Sequence, residues 1–288
     1  RYNTDKYPSF TAEMGVGIQM IYSRRPIVKA EAAEALMVRS LGSGANGIGY
    51  YMYHGGSTPK QNNGVGFLSD ELMGVPKISY DFQAPIGEFG LVRDSYQNLR
   101  ILHSFLEDFS SSLAPMETVL PEGNDRITPD NRETLRYAVR MKDDSGFIFM
   151  TNFQDHDTAR VDQKDLQFKL NLRNESFMIP AKGTFTLKKD VSAILPFNLH
   201  MEDAVLKYAT AQLLTKIEDN GKEHYFFFAP EGFTPEYSFD KATLKSGKSF
   251  YAPIPGVKST FSITTKNGKK VMVTTLTREQ ALNTMKVN

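Results

Sequence analysis

The sequence predicts two architectures in series: parallel β/α structure over residues 1–114, then an antiparallel β-sandwich over residues 115–288. Three observations carry that expectation. Short apolar strands and amphipathic helices alternate up to Leu113. Near Pro115 the hydrophobic period changes from that of a helix to two. Beyond it, Asn-Gly pairs recur between apolar runs, the strongest short-range signal for a hairpin.

The first strand is read in Pro8-Ser9-Phe10-Thr11-Ala12-Glu13-Met14-Gly15. Apolar and small residues lead into Glu13, and Gly15 and Gly17 let the backbone turn away. The acid then stands at the C-terminal end of a strand, where β/α barrels keep their chemistry. Residues 29–41 place Ala30, Ala33, Met37 and Leu41 at helical spacing, between Pro26 and the stop signal Gly42-Ser43-Gly44. Glu31, Glu34 and, on the next helix, Asp94 are expected on solvated faces.

The run Gly47-Ile48-Gly49-Tyr50-Tyr51-Met52-Tyr53 is apolar on both alternations, as in a strand buried on two sides, and stops at His54-Gly55-Gly56. A polar, Gly-rich connection over residues 57–78 is long for a compact domain unless it serves a site. It leads into Ile78-Ser79-Tyr80-Asp81-Phe82-Gln83-Ala84-Pro85. From Leu91 onward, Tyr96, Leu99, Leu102, Leu106, Phe109 and Leu113 mark a longer amphipathic helix. Two strands alone would leave unpaired edges in water, and a whole β/α barrel takes about 250 residues. Further strands are therefore expected upstream of Arg1.

In the second segment Leu135, Tyr137, Val139 and Met141 alternate with Arg136, Ala138 and Arg140, the pattern of a half-buried antiparallel strand. Runs at 147–152 and 166–172 follow. Asp219-Asn220-Gly221-Lys222 and Lys266-Asn267-Gly268-Lys269 each separate two apolar runs as hairpin turns. Tyr225-Phe226-Phe227-Phe228 is expected to be buried strand. Thr277-Arg278-Glu279-Gln280 has a capping-box pattern that opens a short helix.

Composition removes several classes of function. Lys plus Arg total 34 against 33 Asp plus Glu, a net charge of +1, which provides no field for nucleic acid or an anionic membrane surface. There is no cysteine, hence no disulfide, thiolate nucleophile or cysteine metal site, and the five His lack ligand spacing. No apolar run approaches the roughly 20 residues of a membrane span, and no secretory signal pattern is visible. Nucleotide-binding glycine motifs are missing too. Neutral substrates fit better, and the 13 Tyr each offer a hydrogen bond and an apolar face together, which serves sugar sites and β-sandwich cores equally.

Three motifs in order then point to a family. Phe10-Thr11-Ala12-Glu13, Gly49-Tyr50-Tyr51-Met52-Tyr53-His54-Gly55-Gly56 and Ser79-Tyr80-Asp81-Phe82-Gln83-Ala84-Pro85-Ile86-Gly87-Glu88 resemble the family 35 glycoside hydrolases, the β-galactosidases. The resemblance implies that residues 1–114 are the C-terminal strands and helices of a (β/α)8 TIM barrel, with Glu13 as nucleophile and Tyr51 and Tyr80 as hydroxyl contacts to the sugar. It extends more loosely to Ile179-Pro180-Ala181-Lys182-Gly183 and Leu206-Lys207-Tyr208-Ala209-Thr210-Ala211, which look like the family's domain after the barrel. It implies a galactoside-type substrate, no cofactor or metal, an extracellular or periplasmic setting, and retaining hydrolysis by two carboxyl groups about 5 Å apart.

In the family the second carboxyl group follows an asparagine on the fourth barrel strand, here expected upstream of Arg1; Asn174-Glu175 lies in the β segment instead. Three places depart from the pattern, one of them His54, where several members have an apolar residue. Gly15 stands where the family often has an aromatic residue, and Phe82 replaces a tyrosine, keeping the ring and losing a hydroxyl. Two alternatives stay open at this point: a non-catalytic carbohydrate-binding or interdomain module over 115–288, and a related exo-acting amino-sugar hydrolase.

Overall fold

Glycines at alternate positions bring the first two strands together. A Cβ on Gly47 would lie 2.1 Å from the Phe10 ring and one on Gly49 2.6 Å from the Ala12 carbonyl oxygen. Without them β1 (Ser9–Met14) and β2 (Ala45–Tyr50) pair in parallel, with Phe10 opposite Gly47 and Met14 opposite Tyr50. The connection between them is α1 (Ala30–Gly42), so the three form a right-sized β/α/β repeat. The computed structural model describes residues 6–20, 23, 25–59, 78–256 and 259–287. Most of the connection expected over 57–78 lies outside the described residues.

The chain divides into two compact units, one of residues up to 37 with 45–100, the other of 38–44 with 101–288. The first contains, besides β1 and β2, a short antiparallel ladder of β3 (Gly56–Ser57) and β4 (Ser79–Tyr80), and it takes in the start of α2 (Asp94–Leu113). Among the described residues it shows one parallel pair and its helix, the repeating element of β/α architecture, and no closed barrel. Expected to run to Tyr53 and to be buried on both sides, β2 ends at Tyr50 and is half-exposed from Gly47 on. Among the described residues it pairs along one edge only, with β1, and after Tyr50 the chain bends, although the Tyr51 N–H still reaches the Met14 carbonyl at 3.0 Å.

Helix α1 ends as its glycines require. Gly44 adopts φ +102, and its N–H bonds the Leu41 carbonyl. Glu34, expected in solvent, is 2% exposed. The helix is covered on more of its circumference than a single apolar stripe demands. In α2 the stripe is wider than the spacing of the larger leucines suggests, because Ile101 and Phe105 are buried along with Leu99, Leu102, Phe109 and Leu113.

In chain order the strands of the second unit begin with β5 (Glu117–Val119), β6 (Arg136–Lys142), β7 (Ser145–Thr151), β8 (Gln163–Leu166), β9 (Phe168–Asn171), β10 (Ser176–Ile179) and β11 (Phe185–Leu187). They continue with β12 (Ser192–Met201), β13 (Ala204–Ala209), β14 (Gln212–Asp219), β15 (Lys222–Ala229), β16 (Tyr237–Phe239), β17 (Leu244–Ser246), β18 (Phe250–Tyr251), β19 (Thr260–Thr265) and β20 (Lys270–Thr277). The described residues form a seven-stranded sheet ordered β18-β16-β13-β12-β7-β6-β5 and a five-stranded sheet ordered β14-β15-β20-β19-β17, with the pairs β9–β10 and β8–β11 beside them. The two large sheets meet through Tyr237, fully buried, whose hydroxyl lies 2.7 Å from Thr275 Oγ1 and whose ring meets Phe227 and Phe261 edge-on.

One pairing departs from the antiparallel expectation: β15 and β20 run parallel, from Glu223 opposite Val271 to Ala229 opposite Thr277. Between them the chain supplies strands to both sheets and returns through the β19–β20 hairpin, the long crossover that parallel pairing needs. Both expected turns form. Asn220 and Gly221 have φ of 50 and 72, the two left-handed residues of a type I′ loop. Gly268, at φ 84, instead closes a turn through its N–H to Thr265 O. Tyr225, Phe227 and Phe228 are buried, and Thr277 and Gln280 make the reciprocal bonds of the capping box that opens α3 (Arg278–Leu282). The two looser family motifs also meet, since the Tyr208 hydroxyl accepts from Ala181 N–H at 2.9 Å and donates to Glu236 at 2.6 Å.

Arg140 corrects the expectation for β6. The alternation put it on a solvated face, yet it is 1% exposed. Its Nε donates to Met116 O at 2.9 Å, Nη1 to Leu41 O at 2.9 Å, and Nη2 to Leu113 O at 3.1 Å. The guanidinium thus serves the last carbonyls of α1 and α2, where the helix dipoles place partial negative charge. Burial pulls its pKa down from the usual arginine value, though the group keeps its charge. Asp108 plays a similar part on α2, accepting from Thr215 Oγ1, Lys216 N–H at 2.9 Å and Lys286 Nζ at 2.6 Å. Among the described residues no helix is long and apolar enough to cross a membrane.

Replacing Arg140 by Met should remove the guanidinium's bonds to these carbonyls and lower the unfolding free energy by about 3 kcal/mol or more. Arg140→Lys keeps the charge without the planar fork and should fall between the two. Urea unfolding of the three proteins checks this.

Candidate active site

Glu13 is the penultimate residue of β1 and is exposed. Tyr51 follows directly on β2, the neighbouring strand, and Tyr80 ends β4. The chain brings these three sequence-predicted residues together. The Tyr51 and Tyr80 hydroxyls hydrogen-bond each other across 29 positions of sequence. That bond, helped by partial burial and by the nearby Tyr80 and Glu13 groups, pushes the Tyr51 phenol up to about 12.

Phe82 completes an aromatic cluster. Its ring centroid is 4.4 Å from that of Tyr80, tilted by 30°, and 5.7 Å from that of Tyr51, nearly edge-on at 80°. The arrangement combines a carboxylate, two phenol hydroxyls and an apolar ring face. Gln83 sits behind it, donating to Pro26 O at 2.9 Å and accepting from Val28 N–H at 3.3 Å.

The loop that carries Phe82 is shaped by Asp81. Its Oδ1 accepts from Glu88 N–H at 2.7 Å; its Oδ2 accepts from Gln83 N–H at 3.1 Å and from Arg93 Nη2 at 2.6 Å. The other guanidinium arm donates to Ala84 O at 2.6 Å. With these acceptor bonds made, Phe82 and Gln83 hold left-handed backbone conformations at φ 55 and 53. Burial works against the Asp81 carboxylate, but the Glu88 N–H, the Arg93 charge and the Gln83 N–H outweigh it and hold its pKa below the ordinary value.

Two glycines admit this loop. A Cβ on Gly17 would lie 2.4 Å from Phe82 O, where Ile18 N–H now donates at 2.6 Å. One on Gly55 would lie 2.8 Å from Asp81 O and 2.9 Å from Glu88 N. The first glycine of the Gly55-Gly56 pair is therefore needed for close approach of the loop backbone. Gly15 is under no such constraint, its nearest neighbour being Gly17 O at 4.0 Å. His54 turns its Nδ1 to the Gly55 carbonyl and bridges to Ile86 by backbone.

Sequence reading missed the residues that hold the site: Ser57, Ser79, Gln83 and Arg93, with Asp81 and Glu88 entering only as members of the third motif. The seven-residue spacing of Asp81 and Glu88 within one motif was the available signal; the bonds that local sequence does not indicate are those of Glu88 to Ser57 and of Gln83 to Pro26 and Val28. Glu175 engages Lys207 and accepts from Asn198 Nδ2 at 2.8 Å, a structural use of its carboxylate. Among the described residues no three His, Cys, Asp or Glu side chains gather as a metal-binding group.

Residues 1–106, which include Glu13, Tyr51 and Tyr80, match the profile of glycosyl hydrolases family 35, and residues 119–288, more than half of the chain, match that of beta-galactosidase, domain 2. The chain belongs to the family 35 glycosyl hydrolases. It is 33% identical over 103 residues to Beta-galactosidase 10 of Arabidopsis thaliana; the match takes in 35% of this chain and 13% of that protein's length.

Asp81 makes loop order pH-dependent. Its folded pKa is lowered, so its contribution to stability is complete above the unfolded carboxylate value of about 3.9 and is lost as pH falls through the folded one. Asp81→Asn should cost about 1 kcal/mol at neutral pH, the size fitting a partly exposed charged acceptor, and this deficit should vanish at the acid end. Unfolding midpoints measured from pH 7 to pH 2 would show the two curves converging.

Proposed function

We propose that this chain carries the nucleophile and part of the sugar-binding surface of a retaining glycoside hydrolase that cleaves terminal β-galactosides. The observation that supports it best is the exposed Glu13 carboxylate at a strand end beside the hydrogen-bonded Tyr51–Tyr80 pair. A carboxylate exposed at a strand end is suited to attack an anomeric carbon. Glu13 Oε forms the new C–O bond as the glycosidic C–O bond breaks, and the departing oxygen takes a proton from a second carboxylic acid about 5 Å away. Water then hydrolyses the glycosyl ester, with that second group acting as base.

Tyr51 and Tyr80 contact sugar hydroxyls. Each phenol can donate and accept, and their mutual bond sets both hydroxyls before substrate arrives. Phe82 offers its ring face where a second loop hydroxyl would otherwise stand. A site with one hydrogen bond fewer discriminates differently among sugars.

The acid/base residue is assigned to an upstream part of the same polypeptide. Supporting this, among the described residues β1 is paired on one edge only, with Phe10 65% exposed and Tyr7 61% exposed beside it, surfaces that parallel strands ordinarily cover with further strands and helices. The domains of the proposal are 1–114, the C-terminal part of a (β/α)8 barrel, and 115–288, a β-sandwich. The family matches over 1–106 and 119–288 support that division.

In the full-length parent enzyme, Glu13→Gln should lower turnover of a simple β-galactoside by about a thousandfold or more; unaltered turnover would sink the assignment. Expressed by itself, residues 1–288 should release no product from the same substrate. Hydrolysis by this chain, abolished by changing an acid other than Glu13, would place the proton donor within it.

A further inference from the structure

Tyr80 is carried by a ladder only two residues long, with Gly56 opposite Tyr80 and Ser57 opposite Ser79. So short a pair holds its register poorly on backbone bonds alone. The side chains add a second link. Ser57 Oγ on β3 donates to Oε1 of Glu88, and Ser79 Oγ on β4 donates to Oε2 of the same carboxylate. One acid thereby bridges both strands immediately before Tyr80. Glu88 is itself held, since its N–H donates to Asp81 Oδ1 at 2.7 Å and Asp81 is tied to Arg93.

We propose that Glu88 is a positioning residue that delivers the Tyr80 hydroxyl to Tyr51 by clamping Ser57 and Ser79, and so prepares the sugar-contacting pair. Its importance for sugar binding rests on the reading of Tyr51 and Tyr80 given above; the clamp itself does not. The carboxylate suits the task because it accepts at both oxygens, whereas an amide accepts at one.

The Tyr51 phenol reports the clamp without substrate. The bond to Tyr80, with burial and Glu13 beside it, pushes that phenol up to about 12; released from Tyr80, it should move down toward the ordinary tyrosine value of about 10, by less than about a hundredfold in its ionisation constant because burial and Glu13 still act on it. The experiment follows Tyr51 in the whole chain labelled with [13Cζ]tyrosine, the resonance assigned with Tyr51→Phe, from pH 8 to pH 11. Far-UV circular dichroism checks that each protein is folded. Tyr80→Phe is the reference for a broken pair.

Glu88→Ala and the double variant Ser57→Ala/Ser79→Ala should both behave as Tyr80→Phe does, and Glu88→Gln should fall between them and the unaltered chain. The double variant removes two hydroxyls from a partly exposed ladder and is the test that does not depend on Glu88→Ala folding. A folded double variant in which Tyr51 titrates as in the unaltered chain overturns the proposal. Because this readout involves no turnover, its failure is separate from a failure of Glu13→Gln to affect hydrolysis.

Discussion

The second unit depends on a guanidinium buried among carbonyls. Arg140 is buried, and its Nε and both arms donate to main-chain oxygens at the ends of α1 and α2 and at Met116. Helix termini leave their last carbonyls without internal partners, and two such ends close to one strand would be costly to bury. One planar, permanently charged donor satisfies them together. Placed on β6, it also ties those ends to the strand that pairs with β7 and, through it, with β12.

The same economy of groups appears in the first unit with the charges reversed. There, carboxylates organise donors: Asp81 gathers two N–H groups and an arginine, and Glu88 gathers two serines. Neither acid is placed as chemistry. Their bonds bend the 79–93 segment so that Tyr80 and Phe82 face Tyr51 near Glu13, which leaves Glu13 as the exposed carboxylate at the strand end. Glycines at 17 and 55 make room for the bend, and nothing in the space around Gly15 demands a glycine there.

Much of this was legible. Helical spacing located α1 and α2, Asn-Gly pairs located the β14–β15 and β19–β20 hairpins, and Thr277 with Gln280 announced α3. Glu13, Tyr51 and Tyr80 were singled out because each sits inside a motif whose neighbours are as specific as itself. The errors share a cause. Alternation along β6 says which residues point the same way and nothing about what lies against them, so Arg140 read as solvated. Helical spacing likewise could not tell that a second surface covers Glu34. The parallel pairing of β15 with β20 joins strands separated by a long excursion, and no local pattern records it.

Sequence alone determined the local features: the periods of strands and helices, the turn residues, the caps, and the identities of a carboxylate and two phenols in ordered motifs. These depend on interactions within a few residues, which the chain order itself guarantees. The tertiary structure decided which of the chain's many acids became acceptors and which stayed exposed, that Tyr51 would bond Tyr80, and that an arginine on an apparently half-buried strand would end two helices. Those outcomes depend on which backbone groups arrive at a side chain from remote segments, and packing alone brings them there.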